Sequence, residues 1–232
     1  MNIRSYSGSR SSIQLIQHNC NKQNAALQAL FQQALEASAD ILLIQEPPGG
    51  TDPLGWVPIQ HSSFFTIPPD PPLSFYPLRP RVLAYVRKAS MLEFRPRGDL
   101  VSDLDCQIIE ILGPETFYIL NVYNQGNRDT PSAPNLPAPS QGPWTESRLL
   151  RNLSIPKKTL IMGDFNRNHW QWNSEASSSE ITKASALVSW LDNLKTTCLV
   201  DSEEVNNKGG TLLRGNLQQE SVIDLAFITP GF

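Results

Sequence analysis

Asp164, Asn166 and His169 follow a greasy run in "LIMGDFNRNHW", residues 160 to 170. A strand running into a turn would account for them, since Gly, Asp and Asn are the commonest turn residues. A metal-dependent site at a strand's C-terminal mouth would account for them too, because open sheets keep ligands there. Three more segments share the design of an apolar strand delivering polar residues. They are Asn19 and Asn21 in "LIQHNCN", Glu46 in "LLIQEP" and Asp224 in "SVIDL". Asp224 sits inside an apolar run, where an unpaired carboxylate is costly to bury and calls for a cation, a His or several donors.

Glu46, Asp164 and Asn21 are oxygen donors of the kind a hard cation takes. One or two carboxylates with retained waters is the usual magnesium arrangement, and no Cys/His cluster points to zinc. Mg²⁺, with Mn²⁺ as a substitute, is therefore the expected cofactor. Such an ion would polarise a phosphoryl oxygen and neutralise a leaving oxyanion. Asp164 is placed to act as base toward an attacking water, and Asn166 to orient that water or donate to a phosphate oxygen. Tyr123, closing "FYILNVY", either gives its phenol to the phosphate or is an ordinary strand aromatic. His169 either donates to a phosphate or holds its loop. Thr211 and Ser221 are small donors near the Asp224 strand, while His18 and His61 have no company and read as structural.

The elements that position these residues interleave. "IQLIQ" (13 to 17) reads as a strand, and "NKQNAALQALFQQALEAS" as a helix with Leu27, Leu30, Phe31, Ala34 and Leu35 on one face. "ILLIQ" (41 to 45) reads as a strand covered on both faces. Residues 47 to 80 are Pro-rich, without periodicity, and read as a long loop. "RVLAYVRK", "DCQIIEIL" and "FYILNVY" follow as strands, with Gly113–Pro114 turning between the last two. Residues 124 to 143 read as a surface loop, and Thr145 as an N-cap for "TESRLLRNL". "TLIMGDF" is a strand, and "SSEITKASALVSWLDNL" a helix burying Ile181, Ala184, Leu187, Val188 and Leu191. "SVIDLAFI" is the last strand. Interleaved helices and strands with three strands in succession give an α/β fold with mixed sheets.

The 232 residues suit one domain, with 40% hydrophobic and 18% charged residues in the globular range. The polar first twelve residues read as a flexible N-terminus without a secretory h-region, and no run is long and apolar enough for a membrane span. Three scattered cysteines form neither a disulfide framework nor a zinc pattern, which suggests a reducing, intracellular compartment. A net charge of −3 gives no global pull toward nucleic acid. Locally, Arg79, Arg81, Arg87, Lys88, Arg95 and Arg97 form either a solvated hairpin surface or a phosphate-contacting patch.

In order, Asn…Glu…Tyr…Gly-Asp-x-Asn…Ser-x-x-Asp resembles the endonuclease/exonuclease/phosphatase superfamily that includes AP endonucleases. Within it, "QHNCNK", "ILLIQEP", "NVYNQG", "GDFNRNHWQW" and "SVIDLAF" look most like endonuclease domains of LINE-type (non-LTR) retrotransposons of the fungal kind. The resemblance runs from about residue 13 to 228. It implies a four-layer α/β sandwich of two mixed sheets flanked by helices. It also implies an Mg²⁺-dependent endonuclease nicking DNA, acting in the nucleus. The 3′-hydroxyl it leaves would prime the reverse transcriptase domain of the same element.

By the same resemblance Asn19 supports the catalytic network, Glu46 is the metal ligand and Asn21 lies near the metal. Tyr123 contacts the scissile phosphate, Asp164 activates water, Asn166 stabilises the phosphate and Thr211 contacts DNA. Asp224 would orient a histidine on a final Ser-Asp-His strand. Here the sequence runs out at "FITPGF", so that strand is expected to be absent, "IQLIQ" to present an unpaired edge and catalysis to be impaired. Two other readings are a superfamily phosphatase or phosphodiesterase acting on a small phosphoester, and an impaired fragment that only binds DNA or a partner.

Overall fold

The computed structural model describes residues 2–3, 12–52, 55–70, 79–124, 153–200, 212–213, 220–221 and 224–232. In chain order these form β1 (Asn2–Ile3), β2 (Ile13–Asn19), α1 (Asn24–Glu36), β3 (Ile41–Gln45), β4 (Gly49–Asp52), β5 (Gly55–Pro58) and β6 (Phe64–Ile67). There follow β7 (Val82–Arg87), β8 (Glu93–Pro96), β9 (Cys106–Leu112), β10 (Phe117–Tyr123) and β11 (Thr159–Asp164). The last are α2 (Ser178–Asn193), β12 (Thr197–Cys198), β13 (Leu212–Leu213), β14 (Glu220–Ser221) and β15 (Asp224–Ile228).

Two mixed sheets carry the architecture, ordered β1-β2-β3-β7-β6 and β12-β15-β11-β10-β9-β8. Strand pairs β2–β3 and β10–β11 are parallel, and the other neighbours in both sheets are antiparallel. Successive side chains of a strand point to opposite faces, and this alternation builds three cores. Between the sheets lie Leu15, Ile41, Leu43, Ala84 and Val86 against Ile109, Ile119, Leu160 and Met162. The opposite phase of the first sheet (Leu42, Ile44, Leu83, Tyr85) packs on Leu27, Leu30, Phe31 and Ala34 of α1. The opposite phase of the second (Leu120, Val122, Ile161, Leu225, Phe227) packs on Leu187, Trp190 and Leu191 of α2. The result is the expected α/β/β/α sandwich of four layers.

Strand β3 is buried at all five positions, as its unbroken apolar run requires. Helix α2 opens with a capping box in which Ser177 accepts from the Glu180 N–H and the Glu180 carboxylate accepts in return. Its inner face differs slightly from the sequence pattern, since Trp190 is buried while Ile181 and Val188 are half-buried. Leu35 of α1 is exposed, because the helix turns it past the sheet.

Residues 47 to 80 are not simply a loop, for β4 and β5 pair with each other and β6 pairs with β7. Four-residue strands among prolines are too short to show a period, so this segment's order comes from the edge it docks on. Strand β8 is likewise an addition to the sequence reading. The edge of "IQLIQ" is covered at its start, where Asn2 and Ile3 pair antiparallel with Gln14 and Ile13. The loop of 125 to 143 and the proposed N-cap Thr145 lie outside the described residues.

Candidate active site

The alternation that builds the inter-sheet core also builds the site. Gln17 and Asn19 continue the inward phase of Ile13 and Leu15, and Gln45 continues that of Ile41 and Leu43. Asn121 and Tyr123 continue the phase of Phe117 and Ile119, and Asp164 that of Leu160 and Met162. Along one direction the space between the sheets therefore changes from apolar to polar. Asp224 joins them by register, since it is paired with Asp164 across β11 and β15. It opens its strand rather than closing one.

At the centre, Asn19 Nδ2 donates to Asp164 Oδ2 at 2.7 Å. Both residues also end their strands in the same way. Asn19 Oδ1 accepts from the Asn21 N–H at 2.8 Å, and Asp164 Oδ1 accepts from the Asn166 N–H at 3.0 Å. Each is a side chain capping the backbone two residues on, a local turn that Asn and Asp make readily. Asn21 (φ 44°) and Asn166 (φ 48°) are left-handed, as are Lys22 (φ 61°) and Glu46 (φ 45°). Four of the eight left-handed non-glycine residues among those described thus stand at this mouth, and such strain gathers at functional sites.

Glu46 follows Gln45, whose register partner is Asn19. Its N–H donates to the Arg81 carbonyl at 2.8 Å, and its carbonyl accepts from the Lys22 N–H at 2.9 Å. Its carboxylate meets the Lys22 ammonium at 3.0 Å. Arg79 lies alongside, donating from Nε to the Pro47 carbonyl at 3.0 Å. Gln17 Nε2 donates to Asp224 Oδ1 at 3.0 Å, so a carboxamide supplies a donor to Asp224 where the resemblance implied a histidine.

Asp164 is only 3% exposed, and its carboxyl is pushed up to about 7. Burial is the largest cause, followed by the negative charge of Asp224. Hydrogen bonds from Asn19 and the Asn166 N–H pull the value back, while the Glu46 charge raises it. Glu46, Asp164 and Asp224 therefore share one field. Among the described residues no three His, Cys, Asp or Glu side chains form a closed metal cage. The carboxylates are instead set around amides and the Lys22 ammonium.

Tyr123 is paired with Asp164 across β10 and β11, and the Arg81 guanidinium stands 5.9 Å from its ring centre. His169 is placed otherwise. It is 6% exposed, its Nδ1 accepts from the Gln171 N–H at 3.4 Å, and its ring packs near Trp170 and Trp172. Burial lowers its pKa, opposed by Asp192. Its carbonyl accepts from the Trp172 N–H at 3.0 Å and the Asn173 N–H at 2.8 Å, which ties it into the loop after β11. His61 packs on Phe31 and Phe64. Thr211 lies outside the described residues, as does the side chain of Ser221.

Three groups in this region escape the sequence reading. Asn124 ties the turn together: its N–H donates to the Asp164 carbonyl at 2.7 Å and its Nδ2 to the Phe165 carbonyl at 2.7 Å, while its own carbonyl accepts from Asn166 Nδ2 at 2.8 Å. Gln45 Nε2 donates to Asn121 Oδ1 at 2.7 Å, joining the sheets beneath the mouth. Lys22 is the third. Gln45 and Asn121 did leave a signal, a polar residue on the inward phase of an apolar strand. Gly163 is also required, because a Cβ there would run into the Val122 carbonyl of β10.

Two mixed sheets in a four-layer sandwich, with Asn19, Glu46, Asp164, Asn166 and Asp224 gathered at one mouth, make a fold that the chain shares with solved endonuclease structures. Residues 117–231, just under half of the chain, match a family model described as Endonuclease-reverse transcriptase. The endonuclease domain of TRAS1, a telomere-specific non-LTR retrotransposon, is similar with a TM-score of 0.64 and 16% identity, covering 94% of this chain and 85% of that one. AP endonuclease LMAP from Leishmania major gives 0.60 and 11%, covering 94% and 79%. TDP2 from D. rerio, complexed with a single strand DNA product, gives 0.50 and 11%, covering 94% and 83%. No curated protein sequence matches the chain. No helix among the described residues is long and apolar enough to cross a membrane.

Proposed function

We propose that the chain is a divalent-metal-dependent DNA endonuclease that hydrolyses a phosphodiester to leave a 3′-hydroxyl. The observation that carries this reading is the Asn19–Asp164 pair, set in one field with Glu46 and Asp224. The donor set fits a hard cation such as Mg²⁺ or Mn²⁺, because Glu46, the buried Asp164 and Asp224 offer three carboxylates and the neighbouring amides further oxygens, with Lys22 and Arg79 as the cationic groups beside Glu46. Glu46 would hold it, with Asn21 and Asp164 beside it, and when bound it would polarise the phosphoryl oxygen.

The chain's own groups do the rest. Asn19 holds the Asp164 carboxylate in one orientation, and Asp164 takes the proton of an attacking water. Asn166, fixed by Asn124, and Tyr123 face the phosphate, while Gln17 aims Asp224. Thr211 and Ser221 are further candidates for contact with DNA. A reverse transcriptase domain of the same element, suggested by the description of the matching family model, would extend the 3′-hydroxyl, with the nucleus as the site of action.

The test is supercoiled plasmid with and without Mg²⁺, scored for nicked circles with an extendable 3′ end. One observation favours keeping a second reading: the basic residues from Arg79 to Arg97 are engaged within the protein. They no longer argue for DNA. A small phosphoester substrate in the same assay separates a phosphatase or phosphodiesterase from a nuclease. Retardation of DNA without nicking would mark a chain that binds only.

A further inference from the structure

We propose that Lys22 is an exchangeable counter-ion of Glu46, which a divalent cation displaces from that carboxylate. The inference rests on Glu46 being the metal ligand of the proposed function. Lys22 Nζ lies 3.0 Å from Glu46 Oε1, and the lysine side chain is 54% exposed against 12% for the glutamate. One partner is therefore free to swing into water, and the other is not.

The main chain is built to keep both in place when they part. The Lys22 N–H donates to the Glu46 carbonyl and the Cys20 N–H to the Gln45 carbonyl, each at 2.9 Å. The turn that carries Lys22 is thus clipped to the end of β3 by bonds that do not involve the ion pair. Lys22 and Glu46 both sit in the left-handed region, at φ 61° and 45°, which fixes where their side chains start. Only the four-carbon stem has to move.

The competition favours a divalent ion for an electrostatic reason. Among the described residues the ammonium pairs with Glu46 alone, whereas Asp164, held by Asn19 and the Asn166 N–H, feels the negative charges of Asp224 and Glu46. An ion of charge two held by Glu46 would be drawn by the charges of Asp164 and Asp224 as well, and its attraction to each carboxylate would be twice that of an ammonium at the same distance. An ion pair with a mostly exposed lysine is weak in water. Lys22 thus covers Glu46 in the metal-free chain and sets the concentration at which a cation enters.

The experiment is calorimetric titration of the metal-free chain with Mn²⁺ alone, on the parent, Lys22→Met, Lys22→Arg and Glu46→Gln. Lys22→Met should bind Mn²⁺ roughly two- to tenfold more tightly, Lys22→Arg should stay near the parent, and Glu46→Gln should lose the site. Equal or weaker binding by Lys22→Met, or equal tightening by Lys22→Arg, overturns the exchange and leaves Glu46 as a ligand. Parent-like binding by Glu46→Gln removes the metal site itself and the exchange with it. In the unaltered chain the ¹⁵N signal of the Lys22 ammonium should shift with the Mg²⁺ binding midpoint. A signal that ignores Mg²⁺ overturns the proposal without any variant.

Discussion

Two regions of this molecule treat charge in opposite ways. From Arg79 to Arg97 six cations follow one another, and each is settled against a local group. Arg81 forks onto Asp105, Arg87 reaches Asp40 through Nη2, and Arg95 and Arg97 meet on Glu110, with Asp99 also on Arg97. Arg79 rests on the Pro47 carbonyl, and the Lys88 ammonium stands 5.5 Å from the centre of the Phe65 ring. At the strand-end mouth the chain gathers carboxylates instead and steadies them with amides, Asn19 on Asp164 and Gln17 on Asp224. Matched charges finish a structure. Carboxylates gathered around a buried Asp164 whose nearest donors are amides point to a cation or a proton that comes from outside. Neither of the two sequence readings of the basic segment survives unchanged, for four of its six cations sit in ion pairs and the other two rest on a carbonyl and beside a ring.

The largest expected effect tests the mouth. Asp164→Asn should cut nicking by roughly 100- to 10,000-fold, the range for losing a positioned base, with circular dichroism unchanged. Parent-level nicking would remove Asp164 from the mechanism. The matched region should respond through stability. Arg87 is buried, its Nη2 2.9 Å from Asp40 Oδ1 and 3.0 Å from the Ser38 carbonyl, its Nε 2.8 Å from the Ala39 carbonyl. Removing one partner of a buried pair strands the other, so Arg87→Ala should cost about 3–5 kcal/mol in urea unfolding. A loss below 1 kcal/mol would mean that Asp40 finds water.

Much of this contrast could be read from residue types, and the part that could not has a physical cause. The runs "ILLIQ" and "FYILNVY" become β3 and β10 with their bounds intact, because continuous apolar segments of that length have one use in this fold. Asn19, Glu46, Asp164, Asn166 and Asp224 were recognisable as polar groups at strand ends, and the sandwich brings them to one mouth. Gln17, Lys22 and Asn124 were not. The inward phase of β2 marks Gln17 as facing the other sheet, but the partners of all three come from pairings across the fold (Gln17 with Asp224 is a contact over 207 positions), which no local pattern records. The arginines misled for the same reason, since their carboxylate partners lie on other strands.

The pH response joins the two regions on one scale. In the metal-free chain the Asp164 carboxyl is raised from 3.8 to about 7 by burial, then by Asp224 and, to a lesser degree, Glu46. The folded state keeps a proton there that the unfolded chain releases. Its contribution is fully present below the unfolded value and is lost as pH rises through about 7, on the order of a few kcal/mol at most. Asp164→Asn lacks this titration, so its melting temperature minus the parent's should grow from about pH 4 to about pH 8 in chelator. A difference that stays constant would mean that the carboxylate is charged throughout. Gly163→Ala comes next, at about 1–3 kcal/mol, because the added methyl presses β11 against the Val122 carbonyl. Since that shift displaces Asp164 from Asn19, nicking should fall further than the stability loss explains.

The smallest effect belongs to the exposed end of the ion-pair ladder. Arg95 reaches Glu110 Oε2 from Nε at 2.8 Å and from Nη2 at 2.5 Å, yet its side chain is 60% exposed. Glu110 is 6% exposed and does not depend on it, because Arg97 stands 3.4 Å away and the Tyr118 hydroxyl donates at 3.0 Å. Arg95→Ala should therefore cost no more than about 1 kcal/mol, as surface pairs do, and the cost should shrink as salt is raised. Denaturant melts of this variant and Arg87→Ala, side by side at low and high salt, sharpen the comparison. If Arg95→Ala loses as much as Arg87→Ala, Glu110 is stranded without it. The ladder would then be one coupled network rather than a row of separate pairs.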